Sequence, residues 1–140
     1  MTDYMLTRQS HLWLWVPCES YGPIVFGTNL SQTASDIGMI LLETFDPIGD
    51  RYSFLNDNEL TISGNNNVVE RVCTSEDLIY EGGDLLDWPL SDIEALFGRA
   101  DEVGERIDDV GKPYDFESVG LQLWVDDEGY PLSAVLDVGD

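Results

Sequence analysis

Positive charge is what this chain has least of. Six Lys and Arg stand against 28 Asp and Glu among 140 residues, and the formal net charge is −22. Lys112 is the only lysine. So anionic a chain repels phosphate backbones and anionic bilayers alike, and neither nucleic acid nor membrane is an expected partner. Histidine is equally scarce. His11 is the only one, and a single imidazole near one end supplies no base for a nucleophile–base–orienter arrangement. Two cysteines, Cys18 and Cys73, make no disulfide framework and read as reduced thiols. The longest apolar stretches, Leu12 to Val16 and Met39 to Leu42, fall far short of the roughly 20 residues that span a bilayer. No basic segment followed by a long apolar one opens the chain, so no secretory signal is expected and the expected location is the cytoplasm.

Catalytic and metal motifs are missing too. Gly82-Gly83 has no lysine at P-loop spacing, and neither Asp108-Asp109 nor Asp126-Asp127-Glu128 has the spacing of an EF-hand loop. A pair of carboxylates could serve glycoside hydrolysis, but 28 acids give no way to choose one. The expectation is a protein that is not an enzyme and that needs no metal or cofactor.

What is present is enough apolar content, 43%, for one globular domain over residues 1–140. Solubility asks for only about 2–8 net charges in a small domain, so the acidity calls for another explanation. Three readings compete: an inhibitor of a cationic protein, a mimic of nucleic-acid charge that disarms a DNA-binding protein, and a surface adapted to a salt-rich cell. The acids are unevenly placed. Residues 71–140 hold 19 acids and 4 bases, a net of −15, against −7 for residues 1–70. A field concentrated on one half suits electrostatic steering of a basic partner, which favours the first reading.

Along the chain, His11 to Val16 reads as a strand with Leu12, Leu14 and Val16 on one side and Trp13 and Trp15 on the other. A helix is predicted over Leu30 to Thr44, with Asn29 or Ser31 as N-cap and Gly38 held inside it at a cost of about 1 kcal/mol. Pro47 and Gly49 end that helix, and strands follow at 51–55, 59–63, 68–73 and 78–80, with an asparagine-rich turn at 64–67. Ser91-Asp92-Ile93-Glu94 has capping-box form and opens a second helix that stops at Gly98. Arg99 to Lys112 reads as a loop with at most one helical turn. In the last segment Leu121, Leu123 and Val125 alternate with Gln122 and Trp124, Asp126 to Gly129 forms a turn, and Leu132, Ala134 and Leu136 line the returning strand.

The halves echo one another. Ser35-Asp36-Ile37 matches Ser91-Asp92-Ile93, Tyr52-Ser53-Phe54 matches Tyr114-Asp115-Phe116, and Leu60-Thr61-Ile62 matches Leu121-Gln122-Leu123. The predicted fold class is therefore α+β: two repeats, each a helix plus a three-stranded antiparallel meander, with the sheet packed on the helices. Repeat one covers about 21–81 and repeat two about 82–137.

Tyr21-Gly22-Pro23-Ile24-Val25-Phe26-Gly27 followed by a capped helix and Tyr-x-Phe resembles the opening of many small bacterial immunity proteins. Leu90-Ser91-Asp92-Ile93 through Gly98, followed by the Val-Gly-Leu-x-Leu-Trp-Val-Asp-Asp-Glu-Gly run from Val119, is similar to their second half. Such proteins resemble tandem copies of the helix-plus-meander unit of outer-membrane-assembly lipoproteins and of the secreted β-lactamase-inhibitor protein. The resemblance spans residues 21–137 and consists of turn and strand chemistry. It implies an inhibitor of a polymorphic toxin, held in the cytoplasm of the cell that it protects, and names no particular toxin.

The residues expected to meet a basic toxin, a nuclease being the favoured class, are Asp108, Asp109, Asp115, Glu117, Gln122, Trp124, Asp126, Asp127 and Glu128. The acids would stand in for phosphates. Trp124, on the polar side of its strand, would be the apolar anchor, unless a helix covers that face and makes it core.

Overall fold

The computed structural model describes residues 13–45, 49–55 and 57–139. His11, Leu12 and Pro47 lie outside the described residues. A small antiparallel sheet comes first, β1 (Trp15–Val16), β2 (Ser20–Tyr21) and β3 (Ile24–Val25), followed by helix α1 (Leu30–Ile37). Strands β4 (Ile40–Phe45), β5 (Gly49–Phe54), β6 (Asp57–Gly64) and β7 (Arg71–Thr74) form a meander. A short hairpin, β8 (Ile79–Tyr80) and β9 (Gly83–Asp84), then leads through a 3-10 turn at Leu85–Asp87 into α2 (Leu90–Phe97). Four more strands follow: β10 (Glu102–Val103), β11 (Lys112–Phe116), β12 (Leu121–Val125) and β13 (Pro131–Leu136).

Eight of the later strands, all but the β8–β9 hairpin, join in one antiparallel sheet, ordered β10-β11-β12-β13-β7-β6-β5-β4. That overturns the expected fold class. The protein is dominated by strands, and its sheet is a single eight-stranded layer, not two units of one helix and three strands. Each helix is followed by four strands, and the two sets meet through β13 and β7, where Val135 faces Cys73.

The longest strand outside the expectation is β4, whose first five residues fall within the predicted helix because Ile37, Ile40 and Leu41 lie at helical spacing. The helix instead ends at Gly38, whose φ of 85° is left-handed and whose N–H reaches the Ala34 and Ser35 carbonyls. Met39 N–H also closes back on Ala34. Such a C-terminal motif stops a helix, and glycine adopts it without the steric penalty of a side chain. Asn29 is the N-cap as predicted, its side chain accepting from Gln32 N–H. The second helix starts two residues early. Pro89 takes the cap position without a side-chain bond, so Ser91 lies within the first turn and the capping box does not form. The segment 99–112 contains β10, a turn at 107–111 in which the Val110 and Gly111 amides both donate to the Ile107 carbonyl, and a bridge between Ile107 and Gly111.

One face of the sheet makes the core. Phe54, Leu60, Ile62, Val72, Phe116, Leu121, Leu123, Val125, Ala134 and Leu136 are buried there against Leu30 and Ala34 of α1, Ile93 of α2 and Leu85. The alternation in the first strand is as expected, and its tryptophans face inward. Trp13 and Trp15 are buried, whereas Leu14 and Val16 are 55% and 41% exposed. Trp15, Tyr80, Phe97 and Phe116 stack in sequence with ring centroids 5.3 to 6.4 Å apart, joining the first hairpin to α2 and the sheet. A bulge at Trp124/Val125 shifts the β12–β13 register, and Leu132 turns outward where the alternation placed it inside.

Candidate functional site

The other face of the sheet carries no second layer among the described residues: α1, α2 and the hairpins send their buried side chains to the core face. Strict alternation sends a second set of side chains to that face, exposed or half-buried toward β10–β13 but buried at Ser53, Thr61 and Ser63, which are 2%, 4% and 4% exposed. Register partners run across the whole sheet as Glu102, Asp115, Gln122, Val135, Cys73, Thr61, Ser53 and Ile40. A parallel row holds Pro113, Trp124 and Ser133.

Trp124 is half-buried on this face, on the same side as Gln122 and opposite Leu123, as the alternation predicts. Its Nε1–H donates to Gln122 Oε1 at 2.9 Å, and Gln122 Nε2 donates to Asp115 Oδ1 at 2.9 Å. The amide is thereby fixed in one orientation by a donor on one side and an acceptor on the other. With its N–H already satisfied, the indole has its ring to offer a partner. Asp115 lies beside two further acids: one carboxylate oxygen each of Glu102, Asp115 and Glu117 falls within 4.8 Å of the others.

The remaining predicted residues gather at the end of the same strands. Arg106 donates through Nη1 to Asp108 Oδ1 at 2.6 Å and through Nε to Asp127 Oδ1 at 2.7 Å. These bonds raise the pKa of its guanidinium, and they clip the 104–111 loop to the β12–β13 turn. Asp126 has a local task. Its Oδ1 accepts from the Glu128 and Tyr130 amides, both at 2.9 Å, which shapes the turn that Gly129 completes at φ 89°. Asp109 and Glu128 are exposed and make no ion pair among the described residues. The nine predicted residues thus form two groups: Asp115, Glu117, Gln122 and Trp124 on or beside the open face, and Asp108, Asp109, Asp126, Asp127 and Glu128 at its end.

Sequence reasoning missed the cationic part of the face. Arg51 and Arg71 flank Ser63 across β5, β6 and β7, and with Thr61, Cys73, Ser75 and Ser133 they line a depression of about 250 Å³. Arg51 is tied to Glu43 at 2.6 Å, and Arg71 donates to Ser63 Oγ at 3.1 Å. Burial pushes the Cys73 thiol pKa up, while a Thr61 hydrogen bond and the two arginines pull against it. Alternation from Arg51 through Ser53, and from Thr61 through Ser63, could have marked these as outward residues had the sheet been known to be continuous.

No family model, curated protein or solved structure matches this chain. The likeness to immunity proteins therefore rests on the motifs within residues 21–137 alone. Among the described residues no helix is long and apolar enough to cross a membrane.

Proposed function

We propose that this chain is an immunity protein that binds a basic toxin domain, a nuclease being the favoured class, and occludes it. One observation supports the reading above all: Trp124 is half-buried on a face that no second layer covers among the described residues, locked by Gln122 and Asp115 and bordered by an acidic turn. A rigid aromatic ring ringed by polar groups is the usual composition of an interface hot spot. The surrounding acids attract a cationic surface and speed its approach, and the ring supplies the desolvated contact. Occlusion is steric and electrostatic, so it calls on no catalytic group of this chain.

The test is binding to a panel of basic nuclease toxin domains, followed by surface plasmon resonance at two salt concentrations. Trp124→Ala should weaken the complex by about 2 kcal/mol or more, roughly thirtyfold, mainly through faster dissociation. Glu128→Lys should slow association and flatten its salt dependence, because the exposed Glu128 carboxylate takes no part in shaping the turn. A complex indifferent to salt and to both changes would sink the proposal.

A further inference from the structure

Arg51, Ser63 and Arg71 form one register row across β5, β6 and β7, so their side chains leave the same face of the sheet with the two arginine Cα atoms about 10 Å apart. Two of the chain's six cationic residues are thus held together. Between them Ser63 is 4% exposed. Its Oγ accepts from Arg71 Nη1 at 3.1 Å, and its own proton meets no acceptor among the described residues. A hydroxyl donates as well as accepts, so this buried group has room for one acceptor atom. Neither arginine is fully engaged. Arg51 bonds Glu43 through Nη1 alone, at 2.6 Å. Arg71 has Glu70 3.8 Å from Nη2, and that same Glu70 oxygen already accepts from the Asn65 amide. A guanidinium carries five N–H donors, so several remain on each.

These three residues line the depression of about 250 Å³, with Thr61 in between and Glu59 four residues along β6 from Ser63, hence about 13 Å away. Two other depressions on the described residues are ringed by acids: Asp115, Glu117 and Asp137 against Arg71 in one, and Glu105, Asp126 and Asp127 against Arg106 and Lys112 in the other. Here the balance reverses, two arginines against Glu59. We propose that the Arg51–Ser63–Arg71 row binds a small oxyanion, a carboxylate or a phosphate group, with the guanidiniums gripping its oxygens and the Ser63 hydroxyl donating between them. The chain's net charge of −22 opposes an anion at long range, but physiological salt screens that field beyond about 8 Å. Glu43 and Glu70 remain as local competitors, and they keep the affinity low. This inference does not depend on the toxin-binding proposal.

The experiment is an NMR titration of the full ¹⁵N-labelled chain with sodium acetate, and separately with sodium phosphate, up to about 50 mM at constant ionic strength made up with NaCl. The Nε–H signals of Arg51 and Arg71 and the Ser63 amide should shift along saturating curves, with a dissociation constant of about 1–10 mM. Saturation by acetate alone supports the site as one for carboxylates, by phosphate alone as one for phosphate groups, and by both as a general oxyanion site. Arg71→Gln and Ser63→Ala should each weaken binding about tenfold, with circular dichroism confirming that each variant is folded. Arg99→Gln, at an exposed arginine just beyond α2, should leave it unchanged. Linear shifts with both anions overturn the proposal, as do saturating shifts that persist in Arg71→Gln and Ser63→Ala or that Arg99→Gln abolishes.

Discussion

If Gln122 organises the open face, removing it should unlock Trp124 as well as lower stability. Gln122→Ala deletes one hydrogen bond from Trp124 and one to Asp115, both 2.9 Å and both half-buried. At about 0.5–1.5 kcal/mol for each bond, the loss should be about 1–3 kcal/mol. With a urea slope of about 2 kcal/mol per molar, the unfolding midpoint should fall by roughly 0.5–1.5 M. Stability alone would not distinguish this ladder from ordinary packing, so the decisive quantity is a coupling energy. Trp124→Phe keeps an aromatic ring and removes the N–H donor. The double mutant with Gln122→Ala should then cost less than the two single changes added together, by about 0.5–1 kcal/mol. Urea unfolding followed by far-UV circular dichroism gives all four values. Strict additivity, within about 0.3 kcal/mol, would refute the claim that Gln122 holds the indole.

Gly49→Ala should destabilise by about 2 kcal/mol or more, because φ is 87° there and a Cβ would sit 2.2 Å from the Gly64 carbonyl oxygen; thermal unfolding measures it. The Cys73 thiol pKa is raised in the folded chain, so its contribution to stability is complete below the unfolded value of about 8.5 and is lost as pH climbs through the folded one. Cys73→Ser should accordingly flatten the decline in urea midpoint above that pH, and an unchanged slope would refute the assignment. Arg106→Gln should release the 104–111 loop from the Asp127 turn and speed limited proteolysis there, leaving the unfolding midpoint nearly unchanged.

Local chemistry was legible at several turns and strands, though not at Ser91, where the capping box does not form. Asn66 and Asn67 take positive φ in the predicted turn, Gly98 ends α2, and Leu121, Leu123 and Val125 face the core opposite Gln122 and Trp124. The paired motifs also fell on corresponding strands: Tyr52 to Phe54 on β5 with Tyr114 to Phe116 on β11, and Leu60 to Ile62 on β6 with Leu121 to Leu123 on β12. The helical match was one turn out of place, since Leu30 and Gly38 bound α1 as Leu90 and Gly98 bound α2. What sequence could not decide was set at long range. Ile40-Leu41-Leu42 has the same apolar spacing whether it continues a helix or pairs with β5, and only the left-handed turn at Gly38 chooses between them. The outward row from Gln122 to Ser53 depends on β13 joining β7, a contact between residues about sixty positions apart.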